Sequence, residues 1–155
     1  METTTGTYAL VLEAKQAFAL SAGKLGRLVG KAGYYVYVGS AFGPGGVKAR
    51  LKHHQRQAPR PHWHIDYLRQ HLPFNEVWYT HDGYRRECLW VEALTAMSGA
   101  AIPFPGFGSS DCACDAHLIH FKSHPFFRAF RKQLFSSKKD HAAVRQATYK
   151  YLTEL

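Results

Sequence analysis

A mixed α+β domain, with a small antiparallel or mixed sheet flanked by helices, is the fold class this sequence predicts. Three observations carry the prediction. Aromatic and β-branched runs crowd the first forty residues, helix-forming segments dominate later, and 46% of the 155 residues are hydrophobic. That apolar share supports a real core, and the length favours one compact domain over two.

Residues 6–12, Gly-Thr-Tyr-Ala-Leu-Val-Leu, read as a strand, and residues 34–40, Tyr-Tyr-Val-Tyr-Val-Gly-Ser, read as a stronger one. Between them, Phe18, Leu20, Leu25, Leu28 and Val29 are punctuated by Gly23, Gly26, Gly30 and Gly33. Short extended pieces joined by glycine turns fit this stretch, so three antiparallel strands are expected in all. The turn-rich Phe42-Gly43-Pro44-Gly45-Gly46 then opens into good helix formers, Val47 to Arg56. On that helix Lys48, Lys52 and Arg56 recur at four-residue spacing as a basic stripe, and Arg50 and His54 share another face. Pro59 and Pro61 close it, and a second short helix is expected from His62 to His71.

Asn75 to Thr80 reads as a strand ending at the His81-Asp82-Gly83 turn. Arg85 to Met97 reads as a largely buried helix, residues 102–110 as loop, and Ala116 to Phe121 as a last strand. Two C-terminal helices follow in this reading. Ser123 caps the first, with Pro125 in its opening turn and Phe127, Phe130 and Leu134 on one face. Asp140 caps the second, aligning Val144, Thr148 and Tyr151. Residues 1–122 thus form the main domain, with 123–155 a helical extension packed on it.

Lysine and arginine number 20 against 11 acidic residues, a formal charge of +9. Such an excess attracts polyanions, of which nucleic acid is the commonest for a soluble protein. No stretch approaches the roughly 18 apolar residues of a membrane helix, and the start lacks the pattern of a signal peptide. A cytoplasmic protein is the expectation. Three cysteines are too few and too unevenly placed for a disulfide framework, so reduced thiols or metal ligands are expected.

Gly6-Thr7-Tyr8 on the first strand and Tyr37-Val38-Gly39 on a later one are followed by Arg50 and His54 on a helix, then by Glu87 at the start of an apolar helix. In that order the residues resemble the GIY-YIG nuclease family. The segments 35–41, 62–68 and 107–112 resemble a poorly characterised branch of it that also occurs fused to glycosylases of the endonuclease III type. The resemblance covers roughly residues 5–122. It departs from the family in one respect: 28 residues separate Tyr8 from Tyr37, more than double the usual spacing. An inserted strand or hairpin at 18–33 would absorb the excess and still set the two tyrosines side by side.

The resemblance implies a metal-dependent endonuclease acting on DNA, with branched or damaged DNA in repair among the expected substrates, and with Tyr8, Tyr37, Arg50, His54 and Glu87 in its active site. The chemistry asks for these residue types. One carboxylate, Glu87, can hold Mg²⁺ or Mn²⁺ with most of the ion's shell left as water. Arg50 offers a permanently charged fork matched to phosphate. A tyrosine near the attacking water becomes a useful base only where a cation lowers its pKa, a role Arg50 or the metal could fill. His54 can position a tyrosine hydroxyl, contact phosphate or shuttle a proton. Lys48, Lys52, Arg56 and His64, the last beside Trp63, are candidates for contacting nucleic acid.

Plainer readings stand beside these. The tyrosines can be core aromatics of strands, Arg50 a solvated helix residue, and Glu87 a first-turn carboxylate, with Glu92 its rival for the metal. A domain of this fold that binds nucleic acid without cutting it, or serves as a scaffold, is the alternative function. Cys88, Cys112, Cys114 and His117 make a possible structural zinc set, although packed thiols account for the cysteines equally well. His62 and His64 point to different sides of a helix and do not suit a joint metal site, whereas Asp66 can orient a histidine. Asp111 can stand where the family often has a late asparagine.

Overall fold

The run Tyr8-Ala9-Leu10-Val11-Leu12 is apolar at every position, as a strand covered on both faces requires. In the computed structural model, which describes residues 1–56, 59–109 and 114–148, these residues lie buried within β1 (Gly6–Ala14). The chain then forms β2 (Phe18–Ser21), a single 3-10 turn at Gly23–Leu25, and β3 (Arg27–Gly30), which pair as a separate two-stranded hairpin. It returns as β4 (Gly33–Ala41), which pairs antiparallel with β1 over nine residues, from Gly6 opposite Ala41 to Ala14 opposite Gly33. The stretch 18–33 therefore holds a hairpin, and the two motif strands are direct neighbours.

After α1 (Gly46–Gln55) and α2 (His64–Arg69), β5 (Phe74–Thr80) pairs on the other side of β1. Next come α3 (Glu87–Thr95), β6 (Leu118–Phe121), α4 (Phe127–Ser137) and β7 (Val144–Thr148). The five-stranded antiparallel sheet has the order β6-β4-β1-β5-β7. The fold is α+β, as expected.

Alternation along β1 sends Tyr8, Leu10 and Leu12 to a core shared with Val47 and Leu51 of α1 and Ile65 and Leu68 of α2. Ala9 and Val11 face a second core with Trp90 and Leu94 of α3 and Phe130 and Leu134 of α4. Helices thus cover both sheet faces, and a functional residue can reach the sheet end from either layer.

The C-terminal part differs from the expectation. Val144 and Thr148 do not lie on a helix capped by Asp140; they belong to β7, where Thr80 pairs with Val144 and Val77 with Ala147. The open edge of β5 decides this, since pairing satisfies backbone groups that a short, isolated helix would satisfy poorly. Gln146 adds a side-chain hydrogen bond to Glu76. Residues 123–148 contribute one helix and one strand to the same domain rather than the expected two helices, and Tyr151 lies outside the described residues. α4 also begins later than expected, at Phe127, so Ser123 does not cap it; α2 is shorter than residues 62–71. Among the described residues no helix is long and apolar enough to cross a membrane.

Candidate functional site

Register sets the first pair of side chains. Tyr8 stands opposite Gly39, and Leu10 stands opposite Tyr37. Both phenols therefore rise from one face at neighbouring positions, with ring centroids 6.5 Å apart. Gly39 makes room for this: a Cβ there would fall 2.5 Å from the Tyr8 hydroxyl oxygen. The glycine of the second motif is thus needed so that the tyrosine of the first can lie across its strand. Gly39→Ala is expected to push Tyr8 aside and cost about 1–3 kcal/mol, read as a lowered denaturation midpoint. An unchanged midpoint would contradict the packing described.

One turn apart on α1, Arg50 and His54 point at these rings. His54 is buried, and its Nε2 lies 2.6 Å from the Tyr8 hydroxyl, while its Nδ1 has no partner. Burial, helped by the neighbouring His53, pushes its pKa down to about 3 against the opposing pull of Asp66, so the ring is neutral at physiological pH. Burial also raises both phenols: Tyr8 well above its ordinary value, with Tyr37 adding to the rise, and Tyr37 likewise. Arg50 pulls both the other way, but burial outweighs it. Arg50 thus acts in the expected direction but does not by itself make either tyrosine acidic, and without a bound cation both phenols keep their protons at neutral pH. The Arg50 guanidinium lies 4.4 Å from the Trp63 ring centre, a cation–π contact, and it also hydrogen-bonds the Tyr8 side chain.

Asp66 orients a histidine, but it is His53, 3.0 Å away, and not His54. The same carboxylate accepts the backbone N–H groups of His62 and Trp63 at the start of α2. Burial works against its charge, and these hydrogen bonds more than compensate, holding its pKa below the usual carboxylate value.

The third wall comes from the opposite layer. Asp82 receives the Arg86 guanidinium through both carboxylate oxygens, at 3.0 and 3.2 Å, and Arg86 donates its backbone N–H to Thr7 on β1. These contacts fix the start of α3 beside the sheet end. Glu87, the next residue, is half-buried, with its Oε1 enclosed and without a hydrogen-bond partner among the described residues. A buried carboxylate oxygen left unpaired is costly, and a ligand or cation is a common reason for tolerating one.

Tyr37, Arg50 and Glu87 line one polar cleft of about 450 Å³, with Trp63 at its side and Tyr8 and His54 behind Tyr37. A larger groove, about 690 Å³, lies between the end of α3 and α4; it is mainly apolar and holds none of these groups. Sequence reasoning missed Arg85 and Ser40, which also border the cleft. The only signal for Arg85 was its place two residues before Glu87.

The remaining candidates sit apart to different degrees. Lys48, Lys52 and Arg56 do not line the cleft, and Lys52 and Arg56 are exposed. His64 accepts the Gly108 backbone N–H at 2.8 Å and packs on Phe107, so it holds the 104–109 loop rather than bordering the cleft. Glu92 is exposed and does not rival Glu87. His117 does border the cleft; burial lowers its pKa, with Glu87 and the Val38 backbone opposing. Cys88, Cys114 and His117 come together as the zinc set requires, with potential ligand atoms within 4.8 Å of one another. The two cysteines, however, are joined as a disulfide rather than reduced. Folding brings their Cα atoms to 5.8 Å across 26 residues of sequence, a proximity that spacing alone does not reveal. Asp111 and Cys112 lie outside the described residues.

Fold and site together define a small α+β domain with a tyrosine-, arginine- and carboxylate-lined cleft at one sheet end. The model of a domain of unknown function, DUF123, matches residues 7–139, and the chain belongs to that family. No curated protein and no solved structure matches it.

Proposed function

We propose that this protein is a metal-dependent endonuclease of the GIY-YIG type that hydrolyses phosphodiester bonds in DNA, branched or damaged DNA in repair being the substrates to try first. The observation that carries this reading is the convergence of Tyr37, Arg50 and Glu87, from a strand and two helices of opposite layers, on one cleft. Core packing would account for buried tyrosines, but it gives no reason to enclose an unpartnered carboxylate oxygen beside them.

Each residue has a definite task in this reading. The Arg50 fork, steadied by Trp63, binds phosphoryl oxygens. Tyr37 presents its O–H at the cleft wall as a donor that orients the phosphate or the attacking water. Tyr8, held by neutral His54, fixes Tyr37 from behind and extends the polar contacts. Glu87, with few competing contacts, is the ligand for Mg²⁺ or Mn²⁺, and the bound cation would supply charge neutralisation at the phosphate and lower the pKa of nearby hydroxyl groups and water.

The test is cleavage of single-stranded, duplex, flap and junction DNA with Mg²⁺ or Mn²⁺, comparing wild type with Arg50→Ala. Cutting that is lost in chelator and falls by about a hundredfold or more in the variant supports the reading. Salt-sensitive binding without any cutting would instead identify a binding module.

A cytoplasmic, reducing setting is part of the proposal. There the Cys88–Cys114 bridge opens, and two thiolates with His117 provide three ligands for a structural zinc; Cys112, the further ligand expected from the sequence, lies outside the described residues. Protein purified in reductant without chelator should carry close to one zinc per chain. Less than about 0.2 would remove the zinc site.

A further inference from the structure

Arg85 is exposed and lines the cleft together with Glu87, outside the residues assigned above to the chemistry. Its guanidinium sits 4.6 Å from the centre of the Phe42 ring, and its Nη1 lies 3.4 Å from the Ser40 hydroxyl. Arg50 is likewise set against a ring, 4.4 Å from the centre of Trp63. The cleft is therefore flanked by two guanidinium groups, each resting on an aromatic ring, with the enclosed Glu87 oxygen on the same lining. A guanidinium carries five N–H donors, so one contact leaves others for a phosphate, while the ring beside it limits its rotamer freedom before a ligand arrives. Neither cation is neutralised by a carboxylate ion pair among the described residues.

One phosphate does not call for two such groups on different elements when a cation at Glu87 already serves it. A continuous nucleic-acid strand presents phosphates on both sides of the bond to be cut. We infer that Arg85 is a second phosphate-binding residue, which takes the phosphate neighbouring the scissile one, so that the site selects a polynucleotide strand over an isolated phosphodiester. This rests on the nuclease reading of the cleft, and it adds the substrate feature that the cleft recognises. Ser40 keeps the guanidinium turned toward the cleft, and Phe42 supports it.

Binding in the Glu87→Gln background, where cutting is blocked, tests the inference separately from catalysis. Oligothymidylates of two, three and six nucleotides would compete with a labelled strand at several salt concentrations. Arg85→Ala is expected to weaken the three- and six-nucleotide strands about tenfold, and to spare the dinucleotide, which has one phosphate. The slope of log affinity against log salt for the longest strand should fall by about 0.7, the loss of one phosphate contact on a single strand. Arg85→Lys should restore that slope, which a merely structural residue would have no reason to do. An equal penalty on all three lengths, an unchanged slope, or no binding by any strand would overturn the inference. Cutting by wild type with no effect of Arg85→Ala sinks this inference and leaves the nuclease reading standing. Binding with the expected Arg85 effect but no cutting does the reverse.

Discussion

Replacing Glu87 with Gln is expected to abolish cleavage, by about a hundred- to a thousandfold or more, without lowering stability. The two halves of this expectation have one cause. Glu87 keeps an enclosed oxygen without a partner, so the folded protein gains little from its charge. An amide of the same shape loses the affinity for a divalent cation but relieves the cost of enclosing a carboxylate, and the denaturation midpoint should hold or rise. Active-site residues commonly show this opposition of function and stability. A first-turn carboxylate that only favours the helix dipole would behave otherwise: Glu87→Gln would lower stability by a few tenths of a kcal/mol and leave cutting intact.

Asp82→Ala should cause the largest loss of stability among the polar substitutions considered, about 3 kcal/mol. Its carboxylate receives the Arg86 guanidinium, the Tyr84 backbone N–H at 3.0 Å and the Ala142 backbone N–H at 2.9 Å. Removing it strands all three and unties the segment before β7 from the turn before α3. Because Arg86 immediately precedes Glu87, cleavage should fall too. The pH dependence has a definite sign. Burial alone would raise the Asp82 pKa, but Ala142, Arg86 and Tyr84 together bring it from 3.8 down to about 2. A depressed folded-state pKa contributes stability that is fully present above about pH 4 and is lost as pH falls toward 2. The contribution is about 2 kcal/mol, so the gap between wild type and Asp82→Asn in chemical denaturation should narrow across that window. A gap independent of pH would show that the shape of the side chain matters and its charge does not.

How far the sequence foretold this can be followed residue by residue. Strands β1 and β4 were legible because their β-branched and aromatic runs match the local preference of a buried strand. The hairpin between them was legible from its glycines and from the long interval between Tyr8 and Tyr37. Strand β7 was not, because Val144–Thr148 is settled by the free edge of β5, a tertiary fact with no local trace. The set Tyr37, Arg50 and Glu87 was legible as an ordered motif, whereas the sign of the tyrosine pKa shifts was not, since burial depends on how α1 and α2 close over the sheet. Arg85 and the His53–Asp66 pair escaped for the same reason: their partners lie far away in sequence or on another element. The Cys88–Cys114 pairing was hidden by the 26 residues between them.

The proposed chemistry is phosphodiester cleavage in the cleft formed by Tyr37, Arg50 and Glu87, with the help of a cation held by Glu87. One side-by-side measurement tests it most directly: the initial rate of DNA strand cleavage by wild type and Glu87→Gln at matched concentrations, with Mn²⁺ and then with excess chelator. Products are expected from wild type with Mn²⁺ alone, and none above background from the variant or in chelator. Equal cleavage by wild type and Glu87→Gln would contradict it.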